Sequence, residues 1–133
     1  MSLAVALALD WTNDALPDST VLLTKEALIK KGLQPSWRDG KTHWWAFGNN
    51  NWNQVCHGGL IAAAIAVAED APELAARTIH RALDGMPHAL AEYAPDGVYP
   101  EGSSYWGYGT GYSVLTIEML KSAFGSDFGI PGV

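Results

Sequence analysis

Three consecutive asparagines, Asn49, Asn50 and Asn51, stand immediately before an apolar run of helical spacing in "GNNNWNQVCHGG". The start of a helix leaves its first N–H groups without intrahelical partners and carries the positive end of the helix dipole. With an asparagine amide beside it, such an end suits a carboxylate or another anion. Capping needs a single asparagine, Asn49, Asn50 or Asn51, and the row exceeds that need. A second polar cluster follows at residues 93–108, "YAPDGVYPEGSSYWGY". Pro95, Asp96 and Gly97 signal a turn, and Glu101 is placed to cap or salt-bridge near the helix that follows. Tyr105, Tyr108 and Tyr112 share one face of that last helix, the pattern of a packed aromatic stripe. Tyr105 differs from the other two because a tyrosine in the first turn, beside a glycine-rich loop, can direct its hydroxyl into a cleft.

The four histidines are dispersed, and no pair has the spacing of zinc-binding motifs, so no metal and no cofactor is assigned. His43 falls in an aromatic segment, His57 is expected to be a hydrogen-bonded interior residue, and His80 and His88 are expected on the surface. Cys56 is the one cysteine, which excludes an intrachain disulfide and reads as a small buried hydrophobe.

These residues need elements to position them. Leu3 to Trp11 and a second segment from Pro17 to about Gly32 have helical apolar spacing and predict a helical hairpin. From Gln34 to Asn50 the periodicity disappears, and "PSWRDGKTHWWAFGNNN" reads as a long aromatic loop, a kind that is usually functional. Residues 51–69 form a helix whose alanines and glycines allow close approach to neighbours, with Trp52 expected in the core. Leu74, Ile79, Leu83 and Leu90 continue a helical pattern to about Tyr93, with a break or kink expected at Gly85 to Pro87. The last helix ends near Gly125. Every period is helical, so the fold class is all-α, and successive helix–loop–helix units are those of an α/α toroid or solenoid.

With 133 residues and 48% hydrophobic content, the chain can form a single helical domain with a real core. Its net charge of -6 and eight scattered basic residues argue against a nucleic-acid partner. No apolar run reaches the length of a membrane span, so no membrane partner is expected. The opening "MSLAVALALD" has no basic residue before its apolar stretch and does not make a secretory signal. That start and the closing "FGIPGV" suggest a piece of a longer protein.

The pair of motifs "NNNWNQVCHGG" and "YAPDGVYPEGSSYWGYGTGY" resembles the heparinase II/III-like and alginate-lyase-like superfamily of polysaccharide lyases, and the resemblance extends from "LALDWTNDAL" to "SAFGSDFGI". It implies an (α/α) toroid, here an incomplete one built from antiparallel helical hairpins, in a protein that cleaves uronic-acid-containing polysaccharide by β-elimination. That chemistry needs a group that neutralises the uronate carboxylate and a group that shuttles the proton. By position, Asn51 would be the neutraliser, assisted by Gln54. Tyr105 would be the catalytic base, acid or both, with Tyr108 as the competing assignment. A phenol titrates at about 10 in water, so such a tyrosine needs polar or cationic neighbours or a concerted transfer. Asn50, Gln54, Trp44, Trp45, Trp106 and Tyr108 are the expected substrate-binding residues. Several members of the superfamily carry histidine within the asparagine cluster and another from a later segment. The chain alone is therefore expected to be inactive, to expose apolar helix faces, and to self-associate through them. Its parent would be periplasmic or secreted.

Two rival readings use the same residues. Asp96 and Glu101 would be acid and base in an α/α-toroid glycoside hydrolase. Alternatively, Trp37, Trp44, Trp45 and Trp106 would stack on sugar rings in a carbohydrate-binding domain without activity.

Overall fold

The computed structural model describes residues 1–40 and 43–132. Lys41 and Thr42, within the expected aromatic loop, and Val133 lie outside the described residues. Five helices are described: α1 (Ser2–Thr12), α2 (Asp18–Ala27), α3 (Asn51–Ala66), α4 (Pro72–Leu90) and α5 (Ser103–Phe124). The chain is all-α, with no strand among the described residues, and none of its helices there is long and apolar enough to cross a membrane.

The chain divides into two compact units, Met1–Thr42 with Gly59–Ile79, and His43–Gly58 with His80–Val133. In the first, α1 and α2 contact one another as the predicted hairpin requires. The helical path continues past α2 through a π-helical turn at Leu28–Leu33. Ala6 and Leu9 of α1, together with Leu28, Leu33, Ile61, Ala63, Ala64 and Val67, form the buried set. Alanine has the best helix propensity and little side chain, so it permits both the helix and its dense packing. Thr78 is fully buried; its hydroxyl donates to the Leu74 carbonyl at 2.7 Å and accepts the Trp37 indole N–H at 3.0 Å. The Arg77 guanidinium lies 4.6 Å over the Trp37 ring, an arrangement that keeps the cation near water while its planar face covers an aromatic.

In the second unit the core is Ala46, Met86, Ala89, Leu120 and Ile130, around a set of buried polar residues: Asn51, Asn53, Gln54, His57, Ser113 and Thr116. Three expectations change here. The aromatic segment is not featureless, because its described residues form 3-10 turns at Gln34–Gly40 and Trp44–Phe47. Short turns of this kind satisfy their own amides, as in the Ala46 N–H to His43 carbonyl bond of 3.0 Å. The break expected at Gly85 to Pro87 does not occur, and α4 runs through Pro87. A proline removes one N–H, and the apolar face formed by Ala82, Met86 and Ala89 holds the helix together on both sides of it. Trp52 is 54% exposed rather than core, since it lies on the face of α3 opposite the polar stripe that is buried. α5 ends at Phe124 as expected, with Gly125 in the left-handed conformation at φ 70°. Its outer face leaves Tyr108, Val114 and Leu115 exposed.

Candidate functional site

The start of α3 is organised by its asparagines, each with a different task. Asn50 is the cap: its side-chain oxygen accepts the Trp52 N–H at 3.1 Å. Asn49 reaches sideways, its amide donating to Glu92 Oε1 at 3.1 Å. Asn51 is 5% exposed and holds a carboxylate, that of Glu101. Its backbone N–H donates to Glu101 Oε2 at 2.7 Å, and its amide Nδ2 lies 3.0 Å from Oε1 and 2.9 Å from Oε2. The anion site expected at this helix end thus exists and contains a side chain of the same chain. Glu101 does cap a helix, but the helix is α3 rather than α5, which it immediately precedes.

Burial works against charge on Glu101, yet the Asn51 amide, the Asn51 N–H and the nearby Tyr99 hydroxyl outweigh it and hold the carboxyl below its ordinary range. The Tyr99 hydroxyl is pushed well above the usual phenol value, first by burial and then by the Glu101 carboxylate, through its hydrogen-bonding contact and its charge. It interacts with that carboxylate at a geometry short of a full hydrogen bond. The Tyr99 ring is 3% exposed and stacks on Tyr93 with centroids 4.7 Å apart.

Gln54, one turn after Asn51, is fully buried. Its Nε2 donates to the Tyr93 hydroxyl at 3.2 Å and to Ser113 Oγ at 2.9 Å, and Tyr93 is also within 3.1 Å of Thr110 Oγ1. α5 approaches this amide through Gly109, where a Cβ would stand 2.3 Å from Gln54 Oε1. Tyr93, Thr110 and Ser113 give one wall of a pocket of about 270 Å³ whose other sides include Leu90, Trp106 and Ile117.

The remaining expected residues lie around this network. Tyr105, in the first turn of α5, is 48% exposed, and its hydroxyl takes no part in the Asn51–Glu101 set. Trp106 is fixed by an indole N–H to the Gly97 carbonyl at 2.8 Å. Tyr108 is exposed and meets Tyr112 edge to face at 5.2 Å; burial first, then Tyr108, raises the Tyr112 hydroxyl. Trp44 is exposed and packs on Trp52 at 6.3 Å. Trp45 packs edge-on against His57 at 5.1 Å, under the Arg81 guanidinium at 5.1 Å from its ring. Asp96 has the role expected of a turn residue, accepting the Val98 N–H at 3.2 Å beside a cis Ala94–Pro95 bond. Burial raises the half-buried Cys56 thiol, with Arg81 opposing, so it is a neutral packing group. Among the described residues no three His, Cys, Asp or Glu side chains gather as a metal site requires.

Sequence reasoning missed Asn53, Tyr93, Tyr99 and Ser113. Asn53 is fully buried, and its amide donates to the carbonyls of Gly48 and Gly85, both at 2.8 Å. It thereby joins the turn before α3 to the middle of α4. The signal was present in the helical register, because Asn53 shares the buried stripe of α3 with His57, Leu60 and Ala64, and a polar residue there must find internal partners. Asn53→Ala would remove the amide that joins these two carbonyls and is expected to lower the unfolding free energy by about 2–4 kcal/mol, read from urea denaturation. A loss within about 0.5 kcal/mol, the range of ordinary surface substitutions, would show the clamp to be dispensable. In comparisons with known proteins, no family model matches the chain and no curated protein matches it.

Proposed function

We propose that this chain is part of an (α/α) toroid of a polysaccharide lyase-like protein, which cleaves uronic-acid-containing polysaccharide by β-elimination. One observation carries the reading: the Asn51 amide and the first N–H of α3 grip a carboxylate in three contacts of 2.7 to 3.0 Å. Neutralising a carboxylate through pre-set neutral donors is what makes the adjacent C–H of a uronate acidic enough to remove. In the elimination, Tyr105 acting as the phenolate takes the proton from C5 of the uronate to become the phenol, and the C–H electrons form the C4=C5 double bond. The C4–O bond then breaks, and the tyrosine returns the proton to the departing oxygen, so the enzyme ends as it began. An exposed tyrosine in the turn that follows Glu101 has the access such a shuttle needs.

In the longer protein to which we assign this chain, Tyr105→Phe should abolish the ultraviolet absorbance of the unsaturated uronate product while leaving polymer binding intact. Activity retained by Tyr105→Phe would remove the tyrosine from the mechanism. The exposure of Trp44 and Trp106, 65% and 44%, favours a second reading as a carbohydrate-binding domain without turnover. Saturable binding of a uronate polymer with no unsaturated product would select it.

A further inference from the structure

We propose that Glu101 is the resident occupant of a carboxylate-binding cradle built by Asn51 and Tyr99, and that the carboxylate of a uronate sugar takes its place. The sugar rests on the reading above; the cradle does not. The donors are held in buried side chains, Asn51 at 5% and Tyr99 at 3% exposure, whereas Glu101 is an exposed residue that can return its charge to water on leaving. The occupancy is also incomplete. Glu101 satisfies the Asn51 N–H and amide, but the buried Tyr99 hydroxyl that acts on the same carboxylate stays short of full hydrogen-bond geometry with it. A buried donor without an acceptor is costly, and a carboxylate seated a little differently would engage it. The Tyr99 ring is held in place by its stack on Tyr93, so this third donor is pre-set.

The step is an exchange of one carboxylate for another. No covalent bond changes, the charge at the start of α3 stays the same, and the segment released with Glu101 leads directly into the turn that bears Tyr105. Glu101 therefore competes with substrate for Asn51, whose N–H and amide stay paired until the exchange.

The test uses the intact chain with Glu101→Ala, titrated with sodium acetate and sodium glucuronate at constant ionic strength, with glucose and sodium chloride as controls, and read as thermal stability and by calorimetry. Both carboxylates are expected to stabilise Glu101→Ala saturably, with affinity at least about tenfold above that for the wild-type chain. Adding Asn51→Ala should abolish the effect. A folded Glu101→Ala chain indifferent to acetate overturns the cradle. A response to acetate with none to glucuronate keeps the cradle and overturns the uronate reading, and equal glucuronate affinity in wild type and variant overturns the displacement. If Glu101→Ala does not fold, the wild-type chain decides by NMR. The Asn51 backbone and side-chain amide signals should move with glucuronate and not with glucose, and signals that stay fixed overturn the exchange.

Discussion

Gly85→Ala is expected to destabilise the chain by about 3 kcal/mol or more, although alanine in place of glycine inside a helix gains about 1 kcal/mol by propensity alone. Gly85 lies in the middle of α4, and a Cβ there would stand 2.1 Å from the Ala46 carbonyl oxygen and 2.6 Å from His57 Nε2. Neither neighbour is free to yield. The carbonyl is backbone, and the two groups are hydrogen-bonded to each other at 2.9 Å, so relief of the clash breaks a buried bond as well. The Gly85 carbonyl is itself held by Asn53, so displacement of α4 would be transmitted to the start of α3. For a chain of this length the loss corresponds to a melting temperature lower by about 10 °C or more. Gly111→Ala in α5 supplies the control of opposite sign. A Cβ at Gly111 meets nothing within 4 Å, and that variant should gain about 0.5–1 kcal/mol. Equal melting temperatures for Gly85→Ala and wild type would show that α4 does not approach the turn as closely as described.

The second large effect is a loss of stability in acid through His57. This side chain is fully buried, its Nε2 on the Ala46 carbonyl and its Nδ1 without a partner. Burial pushes it from an ordinary 6.5 down to about 4, with the Ala46 bond opposing and the Arg81 charge adding to the depression. Above pH 6.5 the imidazole is neutral in folded and unfolded chains alike, and it makes no contribution to the pH dependence. Between 6.5 and about 4 the unfolded chain binds a proton that the folded chain refuses, so stability falls as the pH falls. The window corresponds to about 3 kcal/mol in total, complete once the pH is below both values. Glu101 adds to the same trend lower down, since its depressed carboxyl stabilises the fold above its unfolded value and ceases to do so as acid protonates it. Urea denaturation from pH 7 to about pH 3 would separate the two, because His57→Gln removes the upper part of the slope and leaves the lower. A His57 ring proton that titrates near 6.5 in the folded chain would contradict the assignment.

Residues 51 to 58 show why one part of this architecture can be read from the sequence and another cannot. The all-α class, the start of α3 in its asparagine row, the turn at Asp96 and the end of α5 at Gly125 were all legible. Each depends on interactions within a few residues: caps, apolar spacing, a side-chain oxygen on a nearby N–H. The interior position of His57 was legible too, from its place among small apolar neighbours. A site for a carboxylate at the asparagine row also followed from the sequence, because unpaired N–H groups and the dipole belong to every helix start.

Tertiary structure alone decided what fills that site. Glu101 is fifty positions from Asn51, and no local pattern links them; only the folding of α5 against α3 brings the carboxylate to the donors. The same holds for Gln54, whose partners Tyr93 and Ser113 lie 39 and 59 residues away. Trp52 shows the converse. Its place in the helical spacing argued for the core, but the buried face of α3 carries Asn51, Asn53, Gln54 and His57, whose main partners come from distant parts of the chain. With that face turned inward, the tryptophan on the opposite side is left outside. Helix boundaries are local free-energy minima and are written in the sequence, whereas the pairing of buried donors with distant acceptors exists only once the chain has packed.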